Sequence, residues 1–167
     1  EHLRVSALAP AMRNVLTLTG VWESLDADDF CAFTDMYVWQ ADAASSRSRA
    51  LEFSAAELGV AELGYIVRNH AMRMAAWSGL DALPKIELIV EDAPQSLEQV
   101  SAGWAITLAS NVRVQTRLLI GADGIHSWVR QSLGMERNAI AHAQRAIVAQ
   151  IATEHHHGHT ANRKSAG

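Results

Sequence analysis

The stretch from Leu118 to Gly134 limits what this chain can fold into. A short apolar run, Leu118-Leu119-Ile120, feeds Gly121-Ala122-Asp123-Gly124, and an apolar-periodic segment from Ser127 to Leu133 follows and stops at Gly134. Glycine permits sharp backbone turns and close approach of another group. Ser127 stands where an N-cap belongs, and Ile125, Val129 and Leu133 recur every four residues. The expectation is strand (Arg117 to Ile120), tight turn, then helix. In α/β folds ligands bind at such joints, outside the carboxyl ends of strands. Free first-turn N–H groups and the partial positive charge of a helix start suit a phosphate or polarised hydroxyls. Asp-Gly is also a common hairpin turn. These residues alone therefore leave a cofactor turn and a plain structural joint both open.

Composition narrows the classes. The chain has 167 residues, enough for one domain with a real core. Fourteen Lys and Arg against 18 Asp and Glu give a net charge of −4, which argues against nucleic acid as a partner. Cys31 is the single cysteine, so an internal disulfide and a cysteine-built zinc site are excluded. A buried thiol in a reducing, cytoplasmic setting fits it. No apolar run approaches the ~18 residues of a membrane span. His155-His156-His157-Gly158-His159 invites a metal reading. Adjacent histidines on a polar tail rarely converge on one ion, and no metal is expected.

Local patterning supplies further elements. Ser6 to Gly20 reads as a helix, with Ser6 or, because of Pro10, Ala9 as its cap. Phe33 to Gln40 alternates as a strand, Ala41 to Arg49 reads as a loop, and Ala50 to Phe53 as the return strand of a hairpin. Asn69 to Trp77 has helix-forming composition, with Asn69 as its cap. Lys85 to Val90 alternates as a strand, and Trp104 to Leu108 and Val112 to Gln115 read as two more. Ala146 to Ile151 favours strand. Strands alternating with helices give an α/β (α+β) class.

Gly121-Ala122-Asp123-Gly124, with Ser127 and Arg130, resembles the fingerprint of the class A FAD-dependent aromatic monooxygenases. Two other blocks stand in family order. Leu3-Arg4-Val5-Ser6-Ala7-Leu8 with Leu18-Thr19-Gly20-Val21-Trp22, and Leu63-Gly64-Tyr65-Ile66-Val67-Arg68-Asn69, resemble the ubiquinone-biosynthesis hydroxylase branch. That branch usually has a glutamate at the position of Arg68 and a leucine at that of Ala76. The resemblance implies that Arg4 contacts an FAD phosphate, a role a guanidinium fork suits, and that Asn69 places a polar side chain on FAD. It implies that Asp123 and Gly124 lie beside the ribityl and pyrophosphate. His126 and Arg130 become candidates for the phosphates of NAD(P)H. Without the resemblance, Arg4 reads as a solvated terminal arginine and Asn69 as a helix cap.

The implied fold is part of an FAD/NAD(P)-binding domain of the para-hydroxybenzoate hydroxylase type, plus strands of the substrate-binding sheet. The expected division is 1–30 and 63–140 in the FAD-binding part, 31–62 as a hairpin leaning to the substrate domain, and 141–167 as the start of that domain. Tyr37, Trp39 and Phe53 would line the substrate side. The implied activity is FAD- and NAD(P)H-dependent hydroxylation of a polyprenyl phenol or related ring, via a flavin hydroperoxide. A lipid-soluble substrate implies peripheral contact with the inner membrane or a ubiquinone-biosynthesis complex. No protein acid or base is singled out. The family's Gly-x-Gly-x-x-Gly loop and its later Gly-Asp block are absent from these residues. The chain, which begins at Glu1, is therefore expected to be an internal fragment. A non-catalytic remnant or interaction module, or another flavin-dependent oxidoreductase of the same fold, stands as the alternative.

Overall fold

The computed structural model describes residues 3–40, 50–80, 83–136, 147 and 149–165. In chain order its elements are β1 (Val5–Leu8), α1 (Pro10–Leu18), β2 (Phe30–Phe33), β3 (Asp35–Gln40), β4 (Leu51–Ser54), α2 (Ala55–Leu58), β5 (Gly64–Arg68), α3 (Asn69–Leu80), β6 (Pro94–Val100), β7 (Gly103–Leu108), β8 (Arg113–Thr116), α4 (Trp128–Ser132) and β9 (Thr160–Ser165). The architecture is mixed α and β, in line with the expected class. It divides into two units, residues 1–86 with 146–167, and residues 87–145.

In the first unit, β5 is the central strand of an antiparallel sheet ordered β1-β5-β2. Ser6 and Phe30 both stand opposite Val67, which is fully buried. A central strand covered on both faces reads as a nearly continuous apolar run, and Gly64-Tyr65-Ile66-Val67 does so. Trp22, Tyr65 and Val67 form the core, with Leu8, Leu16, Leu25, Phe30, Ala32 and Met72 packed against it. Trp22 lies 4.6 Å from Phe30 and 4.9 Å from Tyr65, centroid to centroid. The Arg13 guanidinium, from α1, sits 5.6 Å from the Trp22 ring centre and 5.5 Å from that of Tyr65. Such cation–π contacts contribute about 0.5–2 kcal/mol each.

A second sheet, ordered β4-β3-β9, combines the expected hairpin with a parallel pair. Asp35 stands opposite Ser54 on one side and Thr160 on the other. The His159 carbonyl accepts hydrogen bonds from the amides of Thr34 (2.9 Å) and Asp35 (3.4 Å). The strand expected over Phe33 to Gln40 is therefore broken at Thr34, where the chain passes from one sheet to the other.

The sheet of the second unit is a meander, β6-β7-β8, antiparallel throughout, and α4 follows it. Ala105 and Leu108 are its buried apolar residues. Asp92 closes one end by accepting from the Ser110 amide (3.0 Å) and hydroxyl (2.6 Å).

Four local expectations are corrected. The chain from Val5 to Leu8 is a strand, and the helix starts at Pro10 with Ala9 as an extended N-cap. Proline has no N–H and disfavours a helical residue before it, so it begins the helix and expels Ser6 to Leu8 from it. Lys85 to Val90 forms no strand, because alternation without a pairing partner cannot build a ladder. Leu118 to Ile120 is likewise irregular, with Leu118 71% and Ile120 75% exposed. Of the stretch from Ala146 to Ile151, the described residues 147 and 149–151 carry no strand. The loop expected over Ala41 to Arg49 lies outside the described residues. Among the described residues, no helix is long and apolar enough to cross a membrane.

Candidate cofactor site

Arg4 and Asn69 are brought together by sheet register. Val5 pairs with Arg68, and one step further the Asn69 amide donates to the Arg4 carbonyl at 3.0 Å. Asn69 opens α3, and the Ser6 hydroxyl donates to its Oδ1 at 2.6 Å. Arg4, Asn69, His70 and Arg73 line a cleft of about 60 Å³. His70 and Arg73 also border a wider cleft of about 270 Å³ with Met74 and Trp77. Two guanidinium forks and a carboxamide form a donor set that fits a phosphate or pyrophosphate. Arg68, the departure from the ubiquinone branch, turns elsewhere and places Nη1 3.5 Å from an Asp29 carboxylate oxygen.

Sequence reasoning missed Ser6, His70 and Arg73. For Arg73 the signal was present: it is four residues from Asn69 on a helix and so shares its face.

The second group, in the other unit, is the turn from Gly121 to Gly134. Gly124 has φ +83°, a left-handed conformation that favours glycine. A Cβ on Gly121 would lie 3.1 Å from the Val129 Cβ, so the turn packs closely on α4. Asp123 Oδ2 accepts from the amides of Trp128 (2.6 Å) and Val129 (3.1 Å). Ser127 Oγ accepts from the Arg130 amide at 3.1 Å and caps α4, as expected. The Ser127 hydroxyl first, and then the Val129 and Trp128 amides, hold the Asp123 carboxyl below its usual range, against an opposing desolvation effect.

These bonds correct the expectation of free N–H groups at this helix start. Trp128, Val129 and Arg130 already donate to Asp123 and Ser127, so α4 offers no open anion site through those three amides. Arg130 Nη2 reaches back to the Ile125 carbonyl (2.8 Å), and Gln131 Nε2 donates to the His126 carbonyl (3.0 Å). Asp123, Gly124 and His126 are exposed, and Arg130 is half-buried. An exposed, ionised carboxylate suits hydroxyl donors rather than a second anion. The turn thus fits the sugar-like hydroxyls of a cofactor better than its phosphates.

Cys31 is half-buried rather than buried, with Sγ 3.7 Å from His159 Nδ1. They share a cleft of about 210 Å³ with Phe33, Ile66 and His157. The His156 and His157 rings stack at 4.6 Å. Among the described residues, no group of three or more His, Cys, Asp or Glu is placed to hold a metal ion.

The chain is 30% identical over 156 residues to the 3-demethoxyubiquinol 3-hydroxylase of Escherichia coli K12, covering 93% of this chain and 39% of that protein. It is 31% identical to the ubiquinone hydroxylase UbiL of Rhodospirillum rubrum, over 93% of this chain and 34% of that one. It thus spans well under half the length of either relative. Among solved structures, pqsL, a probable FAD-dependent monooxygenase from Pseudomonas aeruginosa, superposes with a TM-score of 0.65 at 17% identity. That match covers 81% of this chain and 36% of pqsL, and shows a shared fold. The family model of the FAD-binding domain matches residues 70–163, more than half of the chain. With the cationic cleft and the capped glycine turn in place, the chain belongs to the FAD-binding domain family.

Proposed function

We propose that these residues are part of an FAD- and NAD(P)H-dependent monooxygenase that hydroxylates a polyprenyl phenol or related aromatic ring in ubiquinone biosynthesis. The observation that carries this reading is the pairing of Arg4 with Asn69 in one donor-lined cleft. Two sequence blocks with separate resemblance to the same branch meet there. Similarity to the ubiquinone hydroxylases over nine-tenths of the chain supports the substrate class.

In this reading Arg4 and Asn69 hold a phosphate of FAD, and Asp123 with Gly124 orients ribityl hydroxyls. His126 and Arg130 receive the nicotinamide nucleotide. FAD, when bound, supplies the electron and oxygen-transfer chemistry, and the protein's part is binding, orientation and exclusion of water. The sheet β4-β3-β9 belongs to the substrate side, where Tyr37 and Phe53 stand on its strands. A polyprenyl substrate partitions into lipid, so the parent protein works at the cytoplasmic face of the inner membrane or within a biosynthetic complex.

A second reading applies to the 167 residues by themselves. They contain no Gly-x-Gly-x-x-Gly loop, the element that cradles a dinucleotide pyrophosphate at a helix start. By themselves they are a non-catalytic module.

The test is to purify the polypeptide carrying these residues from its native cell. It should contain FAD and consume NAD(P)H and O₂ while hydroxylating a polyprenyl phenol. A flavin-free protein of the relatives' length, inert toward such phenols, would overturn the proposal.

A further inference from the structure

We propose that Ser6 is a positioning residue, whose hydroxyl fixes the Asn69 carboxamide so that its Nδ2 donor joins Arg4 and Arg73 in receiving a pyrophosphate-type anion. The inference rests on the cofactor-site reading and deepens it by naming the group that sets the site's polarity.

A carboxamide has an acceptor end and a donor end, and a free one presents either. The Ser6 hydroxyl donates to Asn69 Oδ1 at 2.6 Å, across 63 residues of sequence. That bond occupies the acceptor end and leaves Nδ2 as the end offered to a ligand. The main chain is fixed by the same strand, because the Asn69 amide donates to the Arg4 carbonyl at 3.0 Å. Arg4 directly precedes β1, two residues before Ser6, and lines the same cleft as Asn69. The described lining of that cleft, Arg4, Asn69, His70 and Arg73, includes no carboxylate. Nδ2 and two guanidinium groups form a set of donors only. Such a set selects acceptor-rich anions and discriminates against cations and neutral donors. The pyrophosphate of FAD and that of NAD(P)H share this chemistry.

Inorganic pyrophosphate titrated into the ¹⁵N-labelled 167-residue protein tests the proposal, with sodium chloride at matched ionic strength as control. The Asn69 side-chain amide pair and the Arg4 and Arg73 Nε–H resonances should shift together and saturate. Ser6→Ala should weaken pyrophosphate binding about fivefold, the worth of one hydrogen bond of ~1 kcal/mol. Ser6→Thr, which keeps the hydroxyl, should restore it. Asn69→Asp, which replaces the donor with a charged acceptor, should abolish it while the Ser6 bond remains possible. Parallel titrations with FAD and with NADP⁺ identify the source, as the one that reproduces the pattern at lower concentration. No saturable response in the unmodified protein, or an unchanged affinity in Ser6→Ala, would overturn the role of Ser6. A full-length parent that still carries FAD in that event leaves the flavin reading standing. A flavin-free parent removes the flavin reading, and the pyrophosphate titration still decides on Ser6.

Discussion

Asp123 caps the helix that follows it: its Oδ2 lies 2.6 Å from the Trp128 amide and 3.1 Å from that of Val129. Only a carboxylate accepts both at full strength. With the folded-state pKa depressed, the ionised form stabilises the folded state at every pH above the unfolded value, about 3.9. That contribution is lost as pH falls through the lower, folded value. Asp123→Asn should therefore differ from the parent in urea midpoint by a constant amount between neutral pH and the carboxylate range. The difference should shrink in more acidic solution. A gap that stays constant into strong acid would refute the capping role.

Ser127 is the companion cap and a buried polar side chain. Ser127→Ala removes the acceptor for the Arg130 amide and should cost about 1 kcal/mol in chemical unfolding, within the usual range for lost caps. Ser127→Thr should recover most of it.

Tyr65 joins the core to α1. Its hydroxyl donates to Glu62 and accepts from Arg13 at 3.0 Å. Burial first, and then the Glu62 hydrogen bond, push its phenol pKa up. The folded state therefore favours the neutral phenol. The stability linked to it is complete below the unfolded value of about 10 and is lost as pH rises toward the folded value. Tyr65→Phe should lose part of the alkaline destabilisation of the parent, measured by thermal melts above about pH 10. Trp22→Ala, which empties the centre of the same cluster, should cost about 3–5 kcal/mol.

The 167 residues alone should bind FAD weakly or not at all, because the cleft at Arg4 provides donors without a glycine loop to wrap a dinucleotide. Equilibrium dialysis checks this, and a tight, stoichiometric yellow complex would contradict it.

Local signals made much of this legible in the sequence. The β3–β4 hairpin, the β7–β8 pair, α3, and the Ser127 cap with its Gly134 stop each depend on near neighbours and are present, although β3 begins only at Asp35 and α3 runs on to Leu80. What escaped detection depends on partners far along the chain. The polar strand β6 is an exception, missed although its partner β7 follows after two residues, because Pro94 to Val100 carries little apolar patterning. The break at Thr34 exists because the His159 carbonyl arrives there. The alternation of Lys85 to Val90 misled for the same reason in reverse, since it describes a strand whose neighbour is missing among the described residues. At the site, residue types pointed to Arg4, Asn69 and Asp123. The direction of each hydrogen bond, which decides that Asp123 is a cap and that the Asn69 carboxamide accepts from Ser6, required coordinates.

Asp35 and Thr160 stand side by side in a parallel pair, although 124 of the 167 residues lie between them and the second unit falls within that interval. Closing so long a loop is entropically costly before any contact rewards it. The sheet β4-β3-β9 should thus form late, well after the meander β6-β7-β8, whose strands are sequential neighbours. During synthesis that edge of β3 waits uncovered until Thr160 to Ser165 leave the ribosome. In that interval it is a template for another chain's strand. Aggregation during expression should therefore respond more to changes in Thr160 to Ser165 than to changes anywhere in the meander.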